Sequence, residues 1–244
     1  MGILGVISTR LVMERSDLFK NSSLKLMENE FGRASVFTTD KIALILRHGN
    51  DPKNHILPHL INYRANLKAL QDMGVTEIVS INSTGSLKKD LRPGMIVIPD
   101  DFITLTATPT IHKNRPVHIT PSLNENVRQK IIKAALENGL PVIKKGTYWQ
   151  TQGPRLETKA EIKMMTNYAD IVGMTMANEA VIAVELDIPY ACVCSIDNFG
   201  NGLLDEPLGM EEILEGTHKS ADLMTQLLKS YGRIYSQKDF KTPN

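Results

Sequence analysis

The sequence is short of several features that would announce a class at once. It has two cysteines, Cys192 and Cys194. They stand two apart in an apolar run of strand character, so their side chains share one face and cannot comfortably bridge each other. A disulfide scaffold is excluded, and no pairing of Cys and His has zinc-ligand spacing, so no metal is expected. Neither sign of charge dominates, with 28 Lys and Arg against 27 Asp and Glu. That balance argues against nucleic acid as the main partner and leaves anion binding to local sites. No apolar run is long enough to cross a bilayer, and the chain does not open on a basic segment followed by such a run. The expectation is a cytoplasmic protein with no membrane partner. Internal repeats, low-complexity tracts and the Walker phosphate loop are also absent.

What is there is an ordinary soluble composition of 244 residues, 42% apolar and 23% charged, enough to bury a substantial core. We expect one α/β domain over residues 1–244 with a polar C-terminal tail from about residue 232. Residues 173–180, Gly-Met-Thr-Met-Ala-Asn-Glu-Ala, read as a polar turn opening an apolar helix. After the Pro189 break, 190–196 reads as a buried strand ending on Asp197 and Asn198. Ligands of open α/β sheets bind outside the carboxyl ends of strands, which is where this turn and this carboxylate would meet. The plainer reading is that Met174 and Met176 fill core space and Asp197 caps a turn.

Other strand ends carry similar chemistry. Residues 3–7 read as a first strand delivering Ser8, Thr9 and Arg10 to a loop. Residues 34–39 and 41–46 read as a hairpin around Asp40, and its second strand runs into Arg47, His48 and Gly49. An Arg at a strand end offers a fork of donors to an oxyanion, and Gly lets the backbone approach; His48 could equally be a loop residue. A helix is expected over about 60–73, and a strand over 77–81 that ends in Asn82, Ser83, Thr84, Gly85 and Ser86, a plausible nest of donors for an anion. Residues 102–116 have no period and read as a surface excursion, with His118 just beyond it. A helix over 126–138 and a strand over 146–150 follow, then the Gly153-Pro154 bend and a Thr158-to-Glu161 capping box. Glu157 either favours the next helix's dipole or accepts hydrogen bonds from a ligand. A final helix is expected over about 210–231.

Four separated blocks, Arg47-His48-Gly49, residues 82–87, residues 153–158 and Gly173-Met174-Thr175, resemble in order and spacing the purine nucleoside phosphorylase superfamily. They look most like its 5'-methylthioadenosine and 5'-methylthioinosine phosphorylase branch, and the resemblance spans roughly residues 3–230. It implies a mixed, twisted central sheet surrounded by helices, a homotrimer or homohexamer, and sites near subunit interfaces. It also implies phosphorolysis, with inorganic phosphate as co-substrate and no cofactor. Phosphate would attack the anomeric carbon through an oxocarbenium-like transition state as the purine leaves. By the same resemblance Ser8, Thr9, Arg47, His48, Asn82, Ser83 and Thr175 would hold phosphate. Met174 would pack on the ribose, Leu156, Glu157 and Asp197 would surround the purine, and His118 would reach a neighbouring subunit's ligand. Asp197 is the expected catalytic residue, at N7 of the departing base.

The chain departs from that pattern in three places. Ser8-Thr9-Arg10 stands where the branch has a Gly-Gly-Thr-Gly loop, Leu156 stands where an aromatic ring usually covers the purine, and Ala177-Asn178-Glu179 replaces a Val-Pro-Glu triplet. The clues to the base conflict. A carboxylate suits the N7 and 6-amino edge of adenine, whereas Asn suits the two adjacent acceptors of a 6-oxopurine. Asp197 therefore favours methylthioadenosine, while Glu157 and the neighbouring Asn198 favour methylthioinosine, inosine or guanosine; we weigh Asp197 more heavily. A nucleosidase that uses water, and a binding protein without turnover, are the competing classes.

Overall fold

The computed structural model describes residues 2–114, 116–205 and 209–237; the expected polar tail over 238–244 lies outside them. In chain order the elements are β1 (Ile3–Ser8), α1 (Arg10–Arg15), β2 (Ser23–Asn29), β3 (Gly32–Thr38), β4 (Ile42–Leu46), α2 (Tyr63–Asp72), β5 (Val75–Ser86) and β6 (Ile96–Val97). They continue with β7 (Asp101–Thr104), α3 (Glu125–Glu137), β8 (Val142–Ile143), β9 (Thr147–Gln150), α4 (Lys159–Met165), β10 (Ile171–Gly173), α5 (Met176–Glu185), β11 (Tyr190–Phe199) and α6 (Met210–Ser236). Among the described residues the strands form one mixed sheet of eleven, in the order β2-β3-β4-β1-β5-β10-β9-β7, with β11 also beside β5 and β6 and β8 beyond it.

The central strands are apolar on both faces because helices cover both. Ile45 of β4 packs in a layer with Leu67 and Leu70 of α2 and Ile182 of α5. Its neighbours Leu44 and Leu46 pack in the opposite layer, with Ile131 of α3 and Met224 and Leu228 of α6. This alternation is the period of two that a strand imposes on its side chains. The expected hairpin is present as the antiparallel pair β3 and β4, and α4 opens on the Thr158–Glu161 capping box. Among the described residues no helix is long and apolar enough to cross a membrane.

Three expected boundaries move, and α1, β2, β7, β8 and β10 are elements not expected from the sequence; β7 takes the start of the expected surface excursion over 102–116 into the sheet beside β9. Strand β5 does not end at Ile81: it runs to Ser86, its first part parallel to β1 and β11 and its last residues antiparallel to β10. The backbone of residues 82–86 is therefore committed to ladders rather than forming an open nest. Strand β11 likewise continues through Asp197 and Asn198 to Phe199, and α6 extends to Ser236. The edge strand β2 was not expected, because most of its residues are exposed and carry no core-facing alternation. Parallel pairing sets Ser8 beside Leu46 and Ile7 beside Ser80. The carboxyl ends of β1, β4 and β5 thus meet where β5 leaves β1 and takes up β10.

Candidate active site

A cavity of about 340 Å³ opens at that junction, within the size range of small-molecule sites. Thr9 reaches it from β1, and Arg47, His48, His55 and Pro58 from β4 and the segment after it. Ser83, Thr84 and Gly85 come from β5, Pro154, Leu156 and Glu157 from beyond β9, and Gly173, Met174 and Thr175 from the turn between β10 and α5. Asn198, Gly200 and Asn201 close it from the end of β11, and Ile213 from α6. Two glycines permit this closeness. Gly153 has φ of +64° and a Cβ there would stand 2.6 Å from the Met174 sulfur, while a Cβ on Gly173 would stand 2.3 Å from the Tyr148 hydroxyl.

The polar end is organised by a buried ion pair. Arg47, 2% exposed, donates from Nε to Glu179 Oε1 at 2.7 Å, and Glu179 is 1% exposed. The same guanidinium donates to the Ile81 carbonyl at 2.6 Å and to Ser80 Oγ at 2.5 Å. Glu179 also accepts from Ser80 Oγ and the Tyr190 hydroxyl. Burial works against the charge of Arg47 and the Glu179 carboxylate works for it; the net effect holds its pKa above the ordinary value. Arg47 therefore brings a largely compensated charge to the cavity.

His48 is fixed by its Nδ1, 2.8 Å from the carbonyl of Ile56. Its ring stacks on His55 with centroids 4.5 Å apart and planes 13° apart. Burial first, and the Arg47 charge second, push its pKa down to about 4. Thr175 donates its hydroxyl to Asn82 Oδ1 at 3.0 Å, and Asn82 in turn donates to Ser80.

At the other end Glu157, 7% exposed, accepts from the Thr151 hydroxyl on Oε1 at 2.6 Å, and Asn201 donates to its main-chain carbonyl. Leu156 and Asn198 also line the cavity, Asn198 Nδ2 donating to the Phe199 carbonyl at 2.8 Å and keeping a second N–H.

Of the residues expected from sequence, Thr9, Arg47, His48, Ser83, Leu156, Glu157, Met174 and Thr175 meet in the cavity. Four do not line it. Asn82 is 1% exposed and acts behind Thr175. Ser8 is fully buried, and its hydroxyl has no partner among the described residues. His118 is exposed, outside the cavity of its own chain.

The fourth, Asp197, corrects the expectation that it meets the base. The register of β11 against β5 slips between Ile196 and Asn198, leaving Asp197 as the extra residue of a bulge. Its carboxylate is turned to α6, where Ser220 and Thr217 donate to it at 2.7 and 3.0 Å. The helix backbone comes so near that a Cβ on Gly216 would stand 2.0 Å from the Asp197 carbonyl oxygen. Asn198 takes the place by the cavity.

Sequence reasoning missed His55, Glu179 and Thr151 as parts of the site. Glu179 left a trace, an acidic residue in an otherwise apolar helix, which needs a buried partner. His55 and Thr151 left none.

The family model of the phosphorylase superfamily matches residues 3–233. A protein of Archaeoglobus fulgidus named "Probable 6-oxopurine nucleoside phosphorylase" is 36% identical over 224 residues, 90% of this chain and 91% of its own. One of Methanocaldococcus jannaschii named "Probable S-methyl-5'-thioinosine phosphorylase" is 37% identical over 221 residues, 88% of this chain and 85% of its own. Among solved structures, methylthioadenosine phosphorylase from Schistosoma mansoni in complex with adenine superimposes with a TM-score of 0.86 at 25% identity, covering 98% of this chain and 93% of that one.

Proposed function

Since the chain belongs to the phosphorylase superfamily, we propose that it cleaves purine nucleosides by phosphorolysis and that its base is a 6-oxopurine. The relatives carry the first part: those at 36 and 37% identity are named as nucleoside phosphorylases over most of this chain. The observation that carries the second is that Asn198, not Asp197, lines the cavity together with Glu157.

A 6-oxopurine shows two adjacent acceptors, N7 and O6, to the side on which adenine shows an acceptor and a donor. The spare N–H of Asn198 suits that edge, and an amide also helps as N7 gains electrons when the glycosidic bond breaks. Glu157, as a carboxylate, only accepts. It pairs with the N1–H of a 6-oxopurine and faces a lone pair at the same position of adenine. The preference for methylthioadenosine rested on Asp197, whose carboxylate is spent on α6, so it passes to methylthioinosine, inosine or guanosine.

In this reading phosphate lies at the Thr9, Arg47, His48, Ser83 and Thr175 end, on the far side of the ribose from the base. Met174 packs against the sugar. Phosphate attacks the anomeric carbon, the bond to the purine breaks, and the sugar leaves as its 1-phosphate. We also propose that His118 completes the site of a neighbouring subunit in a homotrimer or homohexamer, in keeping with its exposure, and that the protein works in the cytoplasm. The test is release of free base from methylthioinosine and inosine with and without phosphate. A sugar 1-phosphate formed only with phosphate supports the proposal; release in its absence would make the protein a nucleosidase.

A further inference from the structure

Two groups at the phosphate end, His48 and Thr175, present lone pairs where an oxyanion would ordinarily want donors. A carbonyl oxygen can only accept, so the 2.8 Å contact to Ile56 puts the proton of His48 on Nδ1. Nε2 then carries a lone pair and has no protein partner among the described residues. The stacked His55 ring and the neighbouring Arg47 both oppose a second proton on His48. Thr175 is in the same condition, since its one hydroxyl hydrogen goes to Asn82 at 3.0 Å, leaving its oxygen an acceptor. Arg47 does not make up the difference, because Glu179, Ser80 and the Ile81 carbonyl take most of its donors.

Resting on the phosphorolysis reading, we propose that His48 recognises the oxyanion as a hydrogen-bond acceptor. The cavity then takes inorganic phosphate through a P–OH and rejects tetrahedral oxyanions of the same shape that carry no proton. A fully deprotonated oxyanion would set its oxygen lone pairs against those of His48 and Thr175 in a partly desolvated site. A hydrogenphosphate turns its one O–H to Nε2 and keeps its other oxygens for the remaining N–H of Arg47 and for Thr9 and Ser83. Recognition then depends on hydrogen-bond polarity as well as on charge.

The experiment uses the whole protein and compares inorganic phosphate, arsenate, sulfate and monofluorophosphate in base release from methylthioinosine. Arsenate carries an As–OH and is expected to replace phosphate as nucleophile. Sulfate and monofluorophosphate are dianions of similar size without an O–H, and should inhibit with constants at least about tenfold above the KM for phosphate, the effect of one mismatched buried hydrogen bond. His48→Gln, which can turn an amide N–H to the anion, should bring sulfate inhibition to within about threefold of that KM. Sulfate competing as well as phosphate in the unaltered protein, with release still dependent on phosphate, would overturn the proposal and leave phosphorolysis standing. Release that needs no phosphate would overturn phosphorolysis and this proposal with it.

Discussion

Arg47 and Glu179 stand 132 residues apart in the chain and meet at 2.7 Å beneath the cavity, both almost wholly buried. The pair fixes the guanidinium against β5 and also spends its charge. Removing one member of such a pair leaves the other uncompensated and costs about 3–5 kcal/mol. Glu179→Gln is expected toward the lower end, about 3 kcal/mol by urea unfolding, since Gln keeps an acceptor. In the protein that still folds the KM for phosphate should fall, because the released charge becomes available to the anion. A higher KM would mean that Glu179 serves phosphate by orienting Arg47.

The base assignment makes a directional prediction for two adjacent residues. Asn198→Asp should shift the ratio of kcat/KM for methylthioinosine over methylthioadenosine toward the aminopurine by about tenfold to a hundredfold, as mismatched polar contacts do. Asp197→Asn should leave that ratio unchanged, since its partners are Ser220 and Thr217 of α6. A larger effect at Asp197 than at Asn198 would reverse the assignment.

Thr151 holds one oxygen of Glu157 at 2.6 Å, and the proposed base assignment gives Oε2 to the N1–H of a 6-oxopurine. The 2-amino group of guanine adds a second donor beside N1. Thr151→Val frees Oε1 for it, and the ratio of guanosine to inosine turnover should rise about threefold to tenfold. An unchanged ratio would place the 2-amino group away from Thr151.

His48 also predicts how stability responds to acid. Its folded pKa is about 4 against an ordinary 6.5, mainly through burial. Between those values the unfolded chain binds a proton that the folded chain refuses. Stability is therefore complete above about pH 6.5 and lost as pH falls toward 4, by about 2 kcal/mol at pH 5. Denaturant unfolding at pH 7 and pH 5 should show that loss in the unaltered protein and much less of it in His48→Gln; equal losses would contradict the burial of a neutral ring.

Much of this was legible in the chain. The apolar strands, the hairpin around Asp40, the capping box at Thr158 and the strand-end blocks at Arg47, Ser83, Glu157 and Thr175 follow from local pattern and short motif. The exchange of Asp197 for Asn198 did not, because it depends on a one-residue slip between β11 and β5 that neither strand encodes alone. The Glu179 anchor was half visible as a charge in an apolar helix, but its partner lies on β4 and only the fold brings them together. The nest expected over 82–86 failed because Gly and hydroxyl residues also suit a long strand where a second ribbon approaches closely, as β10 does at Gly85.

The most direct test of the account is a comparison of kcat/KM for methylthioinosine and methylthioadenosine at saturating phosphate, following free base and sugar 1-phosphate together. With Asn198 and Glu157 facing the base, methylthioinosine should be preferred by at least about tenfold. Equal turnover of the two, or preference for methylthioadenosine, would contradict the base assignment.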